Sequence, residues 1–129
     1  MESMKRTIRL ASGIIFCAAL VVSGVGSAAP LAFTITLEST SPYYHPAVAA
    51  VTAGSTVEWV NPTASYHTIQ HDGCATGLRC AFNSGSVAPN GRYVLDPLPP
   101  GEYPYHCELH PIMRGVLIVI PAAGSSTQS

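Results

Sequence analysis

The chain has 129 residues, 47% of them hydrophobic and 10% charged. That length allows one domain, or one domain plus a targeting segment; it excludes a TIM barrel, a full dinucleotide-binding fold and a multi-domain enzyme. Six Lys and Arg against seven Asp and Glu leave a formal charge of −1, so no basic patch is available for nucleic acid, and the apolar fraction argues against disorder.

The first segment reads as a leader. Lys5, Arg6 and Arg9 precede an apolar run from Ala11 to Val25, and the small residues Gly26, Ser27, Ala28 and Ala29 follow, then Pro30. This is the order of a secretory signal peptide, residues 1–28, with cleavage expected after Ala28. A cut one residue later would place Pro30 beside the scissile bond. Ser12, Gly13, Ser23 and Gly24 interrupt the apolar run, which falls short of the ~20 residues a membrane span needs. Cys17 sits inside the apolar run after Ile14, Ile15 and Phe16, which is not a lipoprotein arrangement. The product is expected to be exported, periplasmic or extracellular, with no span after cleavage. It keeps Arg79, Arg92 and Arg114 against Glu38, Glu58, Asp72, Asp96, Glu102 and Glu108, and is mildly acidic.

Strand signals follow in order. Residues 31–37 alternate, with Phe33, Ile35 and Leu37 on one face. Residues 57–60 (VEWV) follow Gly54 and stop at Asn61-Pro62. Residues 67–69 are short and β-branched, and residues 92–95 lie between Asn90-Gly91 and Asp96-Pro97. Residues 102–107 follow Pro99-Pro100-Gly101, and residues 116–120 form a continuous apolar run expected to be buried on both faces. Turn signals recur about every eight to twelve residues, the spacing of an all-β sandwich or barrel. No stretch sustains a 3.6 period; one short helical turn is expected within residues 76–82. Residues 29–121 form the domain, and the small polar residues 122–129 form a flexible tail.

Cysteine parity supplies the first chemistry. Without Cys17, the chain keeps Cys74, Cys80 and Cys107. Cys74 and Cys80 enclose only ATGLR, with Gly77 to permit a tight turn, and are expected to pair in an oxidising compartment. A loop that small contributes roughly 2 kcal/mol on the loop-entropy account. Cys107 is left over and calls for an explanation.

Its neighbours provide one. Cys107-Glu108-Leu109-His110-Pro111-Ile112-Met113 brings a thiolate, an imidazole and a thioether into one short segment. Soft sulfur with imidazole selects copper over zinc and harder cations, and a His₂Cys plane with a weak axial Met needs one more His. His106 adjoins Cys107 on a strand and points to the opposite face. His45 lies between Tyr44 and Pro46 and reads as an exposed loop residue. His67 and His71 are about 13 Å apart if the intervening residues are extended, too far for one metal. His67 follows a strand-and-turn unit that can fold back over one end of a sandwich, and is the choice. The expected metal set is therefore His67, Cys107, His110 and Met113, around one mononuclear copper.

At these residues the chain resembles the cupredoxins, the type-1 blue copper proteins of the plastocyanin/azurin superfamily. VTAGSTVEWVN is similar to the family's V-x-x-G-x-T-V-x-W-x-N strand, and His67-Thr68-Ile69 to its first-His motif. PPGEYPYHCELHPIMRGVLIVI is similar to the P-G-x-Y-x-Y-x-C-x-x-H-x-x-M-x-G ending. The short spacing from Cys107 to Met113, followed by Arg114-Gly115, is most like the amicyanin type. The resemblance implies a Greek-key β-sandwich of about seven or eight strands. It implies that one copper shuttles single electrons between Cu(II) and Cu(I). The ring edge of His110 would then lie at the surface among apolar residues such as Pro111 and Ile112, where redox partner proteins dock transiently onto a monomer. A copper carrier or storage protein of the same fold is the alternative. Copper enzymes built from such domains need several domains and further His clusters such as H-x-H pairs, so no catalytic role is expected.

Three departures stand out. Thr68 replaces the common Asn after the first His, and must tie the ligand strands by its hydroxyl or leave this to the backbone. Leu109 replaces a Pro before the second His. Its amide either supplies a second N–H to the Cys107 sulfur, after that of Thr68, or faces solvent while the side chain packs on the patch. The CATGLRC insertion is not part of the pattern.

Overall fold

The structure, a computed structural model, describes Gly26 and residues 31–124; nearly all of the expected leader and the end of the expected tail lie outside these residues. Among the described residues nine strands and one short helix follow in order: β1 (Phe33–Leu37), β2 (Tyr44–His45), β3 (Val48–Thr52), β4 (Val57–Val60), β5 (His67–His71), α1 (Asp72–Thr76), β6 (Asn83–Val87), β7 (Arg92–Leu95), β8 (Gly101–His106) and β9 (Arg114–Ile120). They form two mixed sheets, ordered β2-β1-β4-β7 and β3-β9-β8-β5-β6. Both sheets owe their mixed character to one parallel pair each, β1 with β4 and β3 with β9.

The alternation of β1 and β4 buries Ile35, Leu37, Val57 and Trp59 between the sheets. Trp59 sits at the centre, 5.5 Å from the ring of Tyr105 and 5.8 Å from those of Phe82 and Tyr93. Full burial of such side chains contributes roughly 1.5–3 kcal/mol each, so this aromatic cluster is the main weld between the layers.

The expected strand count was low by the weakest-patterned strands. β2 is two residues long. β3, VAAVT, carries small residues on a clean alternation of exposed and buried positions. β6, NSGSV, has a turn-like composition and survives as an edge strand paired to β5 across a register shift. β9 also differs from expectation: its residues alternate between buried and more exposed, with Ile120 at the surface. Only its inner face meets the other sheet; the outer face meets solvent. The helical turn lies at Asp72–Thr76, earlier than expected, because Gly77 takes the left-handed conformation (φ 73°) and ends it.

Gly115 stands opposite Tyr105 in the β8–β9 ladder, and the tyrosine ring lies over it. A Cβ there would collide with that ring. Gly115→Ala should therefore cost about 1–3 kcal/mol, lowering Tm by several degrees in a thermal melt at roughly 4–8 °C per kcal/mol.

Candidate metal centre

Three neighbouring strands converge at one pole of the sandwich. β5 begins at His67, β8 ends at His106 just before Cys107, and β9 begins at Arg114 just after Met113. β5 pairs with β8, and β8 with β9, so residues distant in sequence meet here. The loop between β8 and β9 closes on itself: Cys107 N–H donates to Met113 C=O (3.1 Å), and Met113 N–H to His110 C=O (2.8 Å).

The result is a three-donor cluster. Cys107 Sγ lies 3.9 Å from His67 Nδ1 and 3.6 Å from His110 Nδ1. All three donor atoms fall within 4.8 Å of one another. Metal–nitrogen bonds of about 2.0–2.1 Å and a metal–thiolate bond of about 2.3 Å place trigonal ligands roughly 3.5–4 Å apart. The two sulfur–nitrogen separations fall in that range. Cys107, His67 and Met113 are buried, whereas His110 is exposed. Met113 lines the same cleft of about 150 Å³ as His67 and His110.

Hydrogen bonding prepares His67. The Asn61 amide donates to the carbonyls of Ser65, Val87 and Ala88 at 2.8–3.1 Å, which leaves Asn61 Oδ1 as an acceptor. The Thr63 hydroxyl donates to that oxygen at 2.7 Å. Its own oxygen lies 2.9 Å from His67 Nε2 and, its proton being committed, accepts from Nε2–H. His67 Nδ1 is then left with its lone pair facing Cys107 and His110. Burial, and secondarily the neighbouring His110, hold the His67 imidazole below its ordinary pKa, which favours this neutral form. Asn61 lay within the strand motif without an evident role, and Thr63 carried no signal beyond its spacing from His67.

Cys107 Sγ accepts the N–H of Thr68 at 3.3 Å. The Thr68 hydroxyl accepts the N–H of Glu108 at 2.8 Å, so Thr68 joins the two ligand strands through both its backbone and its side chain. Behind it, the buried Tyr44 hydroxyl donates to Thr68 C=O at 3.0 Å. Burial raises the pKa of Tyr44 and keeps that proton in place. Thr68→Val should strand the Glu108 N–H and cost about 1 kcal/mol, whereas Thr68→Ser should keep near wild-type stability; paired denaturation curves decide this.

Leu109 is half-exposed, and its amide is not among the donors to Cys107 Sγ. Of the two readings of Leu109, the sulfur bond is therefore the one to correct. Glu108 N–H is tied to Thr68, and the chain turns outward from there. Pro111 and Ile112 are exposed beside His110, as is Tyr66 next to His67.

The other histidines serve elsewhere. His106 faces away from the cluster, its Nδ1 2.5 Å from Asp72 Oδ1. His71 Nδ1 accepts Ala81 N–H at 3.2 Å, and its ring packs on Phe82 and Tyr103. His45 is exposed, on β2 rather than in a loop. Cys74 and Cys80 form a disulfide, and Cys107 is a free, buried thiol. Thiol titration of the denatured, unreduced apo-protein without residues 1–28, and so without Cys17, should accordingly find one reactive group, whereas three would mean that the disulfide does not form.

Comparison with known proteins agrees with this chemistry. Amicyanin from Paracoccus denitrificans is 29% identical over 120 residues, covering 79% of this chain and 91% of that protein. The structure of a point mutant of amicyanin in its reduced Cu(I) form at pH 4 aligns with TM-score 0.60 at 27% identity, over 72% of this chain and 86% of that one. A purple cupredoxin from Nitrosopumilus maritimus aligns with TM-score 0.58 at 25% identity, over 68% of this chain and 99% of that one. The grouped His67, Cys107 and His110 are consistent with one type-1 copper. The family model of the cupredoxin-like domain spans residues 13–119, most of the chain and all three donors, and this protein belongs to that family.

Proposed function

We propose that this chain is a small exported carrier of single electrons, and that His67, Cys107, His110 and Met113 are the residues that would hold one copper. Bound there, copper supplies a one-electron Cu(II)/Cu(I) couple. The observation that carries the reading is the three-donor cluster in which two donors are buried and one is not. His67 and Cys107 are held by Thr63 and Thr68 within a packed sheet, which limits ligand movement when the charge changes. The N–H of Thr68 withdraws charge from the Cys107 sulfur and so favours the reduced state. His110 reaches the surface, with Pro111 and Ile112 as apolar neighbours, and provides the contact through which a partner protein exchanges an electron in a brief, small-area encounter. The leader-like segment supports export, and the carrier is read as a monomer. Among the described residues no helix is long and apolar enough to cross a membrane.

The test is addition of Cu(II) to the purified apo-protein, followed by a redox titration. An intense thiolate-to-copper absorption band and a reversible one-electron couple are expected. Copper uptake without reversible redox chemistry would move the reading to a copper carrier of the same fold. The absence of any charge-transfer band would overturn the ligand assignment.

A further inference from the structure

The stapled insertion between β5 and β6 does more than close a loop. α1 has five residues, too few to be stable alone. Its position is set from outside. The Cys74–Cys80 disulfide closes its far side. The buried Gly73 packs so tightly that a Cβ would collide with the carbonyl of Arg79 and the ring of His71. His71 N–H donates to Phe82 C=O at 3.0 Å, and Ala81 N–H donates to His71 Nδ1 at 3.2 Å. The insertion is thus folded back and tied at both ends.

At its base it carries Asp72. One carboxylate oxygen lies 2.5 Å from His106 Nδ1, and the other 3.4 Å from an Arg114 guanidinium nitrogen. His106 and Arg114 are cross-strand partners in the β8–β9 ladder. They are also the residues that immediately precede Cys107 and immediately follow Met113. A single carboxylate therefore spans the two chain ends from which the metal loop springs.

We infer that Asp72 is a positioning residue for the metal loop, and that the Cys74–Cys80 disulfide acts on the metal centre by holding Asp72 in place. Partly exposed ion pairs contribute little to global stability, whereas groups outside a ligand set that orient it commonly change metal affinity by 10–100-fold. The brace should accordingly show in loop order and metal retention more than in Tm. The inference rests on the ligand reading above, but its first readout does not need copper.

The experiment uses the whole chain as wild type, Asp72→Ala, Asp72→Asn, a variant with both Cys74→Ser and Cys80→Ser, and the combination of the last with Asp72→Ala. In the apo-protein, amide exchange at Cys107 should be on the order of tenfold faster in Asp72→Ala, with Tm little changed. In the copper-loaded protein, loss of Cu(II) to EDTA should also be on the order of tenfold faster, with a shifted charge-transfer band. Asp72→Asn keeps an acceptor for His106 and should fall between the two, and it carries the test if the alanine variant does not fold. Removing the disulfide should reproduce the loop exchange and copper loss of Asp72→Ala, with a lower Tm from the lost loop closure, and combining the two should add nothing to exchange or copper loss. Unchanged loop exchange and copper loss in Asp72→Ala would overturn the inference. Full additivity of the disulfide and Asp72 effects would overturn the link between them. A wild type that takes up no copper would sink the ligand reading, while the exchange data would still decide this one.

Discussion

Cys107→Ser should abolish the charge-transfer colour of the Cu(II) protein outright. The band requires a thiolate bonded to copper, and Cys107 is the free cysteine of the described residues. A serine hydroxyl in the same place is a hard, largely protonated oxygen that neither donates charge comparably nor prefers Cu(I). The fold should survive, because serine is close in size and the N–H of Thr68 can donate to its oxygen as it does to the sulfur. Burying the hydroxyl should cost about 1–3 kcal/mol on mutational scales, visible as a lower Tm of the apo-protein. A variant that folds, binds copper and stays intensely coloured would refute the assignment of the site.

The second large effect separates two histidines on one strand. His67→Ala should bleach the band or open the site to an added ligand such as imidazole, since it removes one of the three converging donor atoms. His71→Ala should leave the band intact. The ring of His71 packs against Phe82 and Tyr103 and accepts the N–H of Ala81, so its loss should appear as about 1–3 kcal/mol of stability. Spectra of the two variants at matched copper loading settle the matter. Colour retained in His67→Ala and lost in His71→Ala would mean that the strand presents its other end to the metal.

The two variants differ in what a reader of the sequence can know beforehand. Cys107, His110 and Met113 are close along the chain, and short-range spacing in a turn is legible without a fold. The same holds for Cys74 and Cys80, whose separation leaves little freedom. The choice between His67 and His71 depended on an extended backbone between them, and β5 is indeed a strand. The all-β class was legible for a similar reason: alternation in β1 and β4 and recurrent turn residues are local properties. β2, β3 and β6 escaped because they are short, small-residued or polar, and they become strands only by pairing with neighbours already in place.

Sequence alone determined the chemistry offered: one unpaired thiol, one imidazole three residues on, one thioether, and a leader-like segment ahead of an apolar, turn-rich domain. Tertiary structure decided how that chemistry is held. The proton on His67 Nε2 follows from Thr63, whose own hydroxyl proton is taken by Asn61, an arrangement made where the segment after β4 folds back over the pole of the sandwich. The direction of the Leu109 amide was open until the Thr68 hydroxyl was seen to hold the N–H before it. Asp72 reads as a turn residue in sequence, yet it lies against His106 and Arg114 because β5, β8 and β9 are adjacent in one sheet. The physical reason is common to Thr68 and Asp72. Spacing along a chain sets which side chains are available within a few residues, whereas a hydrogen bond between residues some 40 positions apart exists only once strand pairing has set the register.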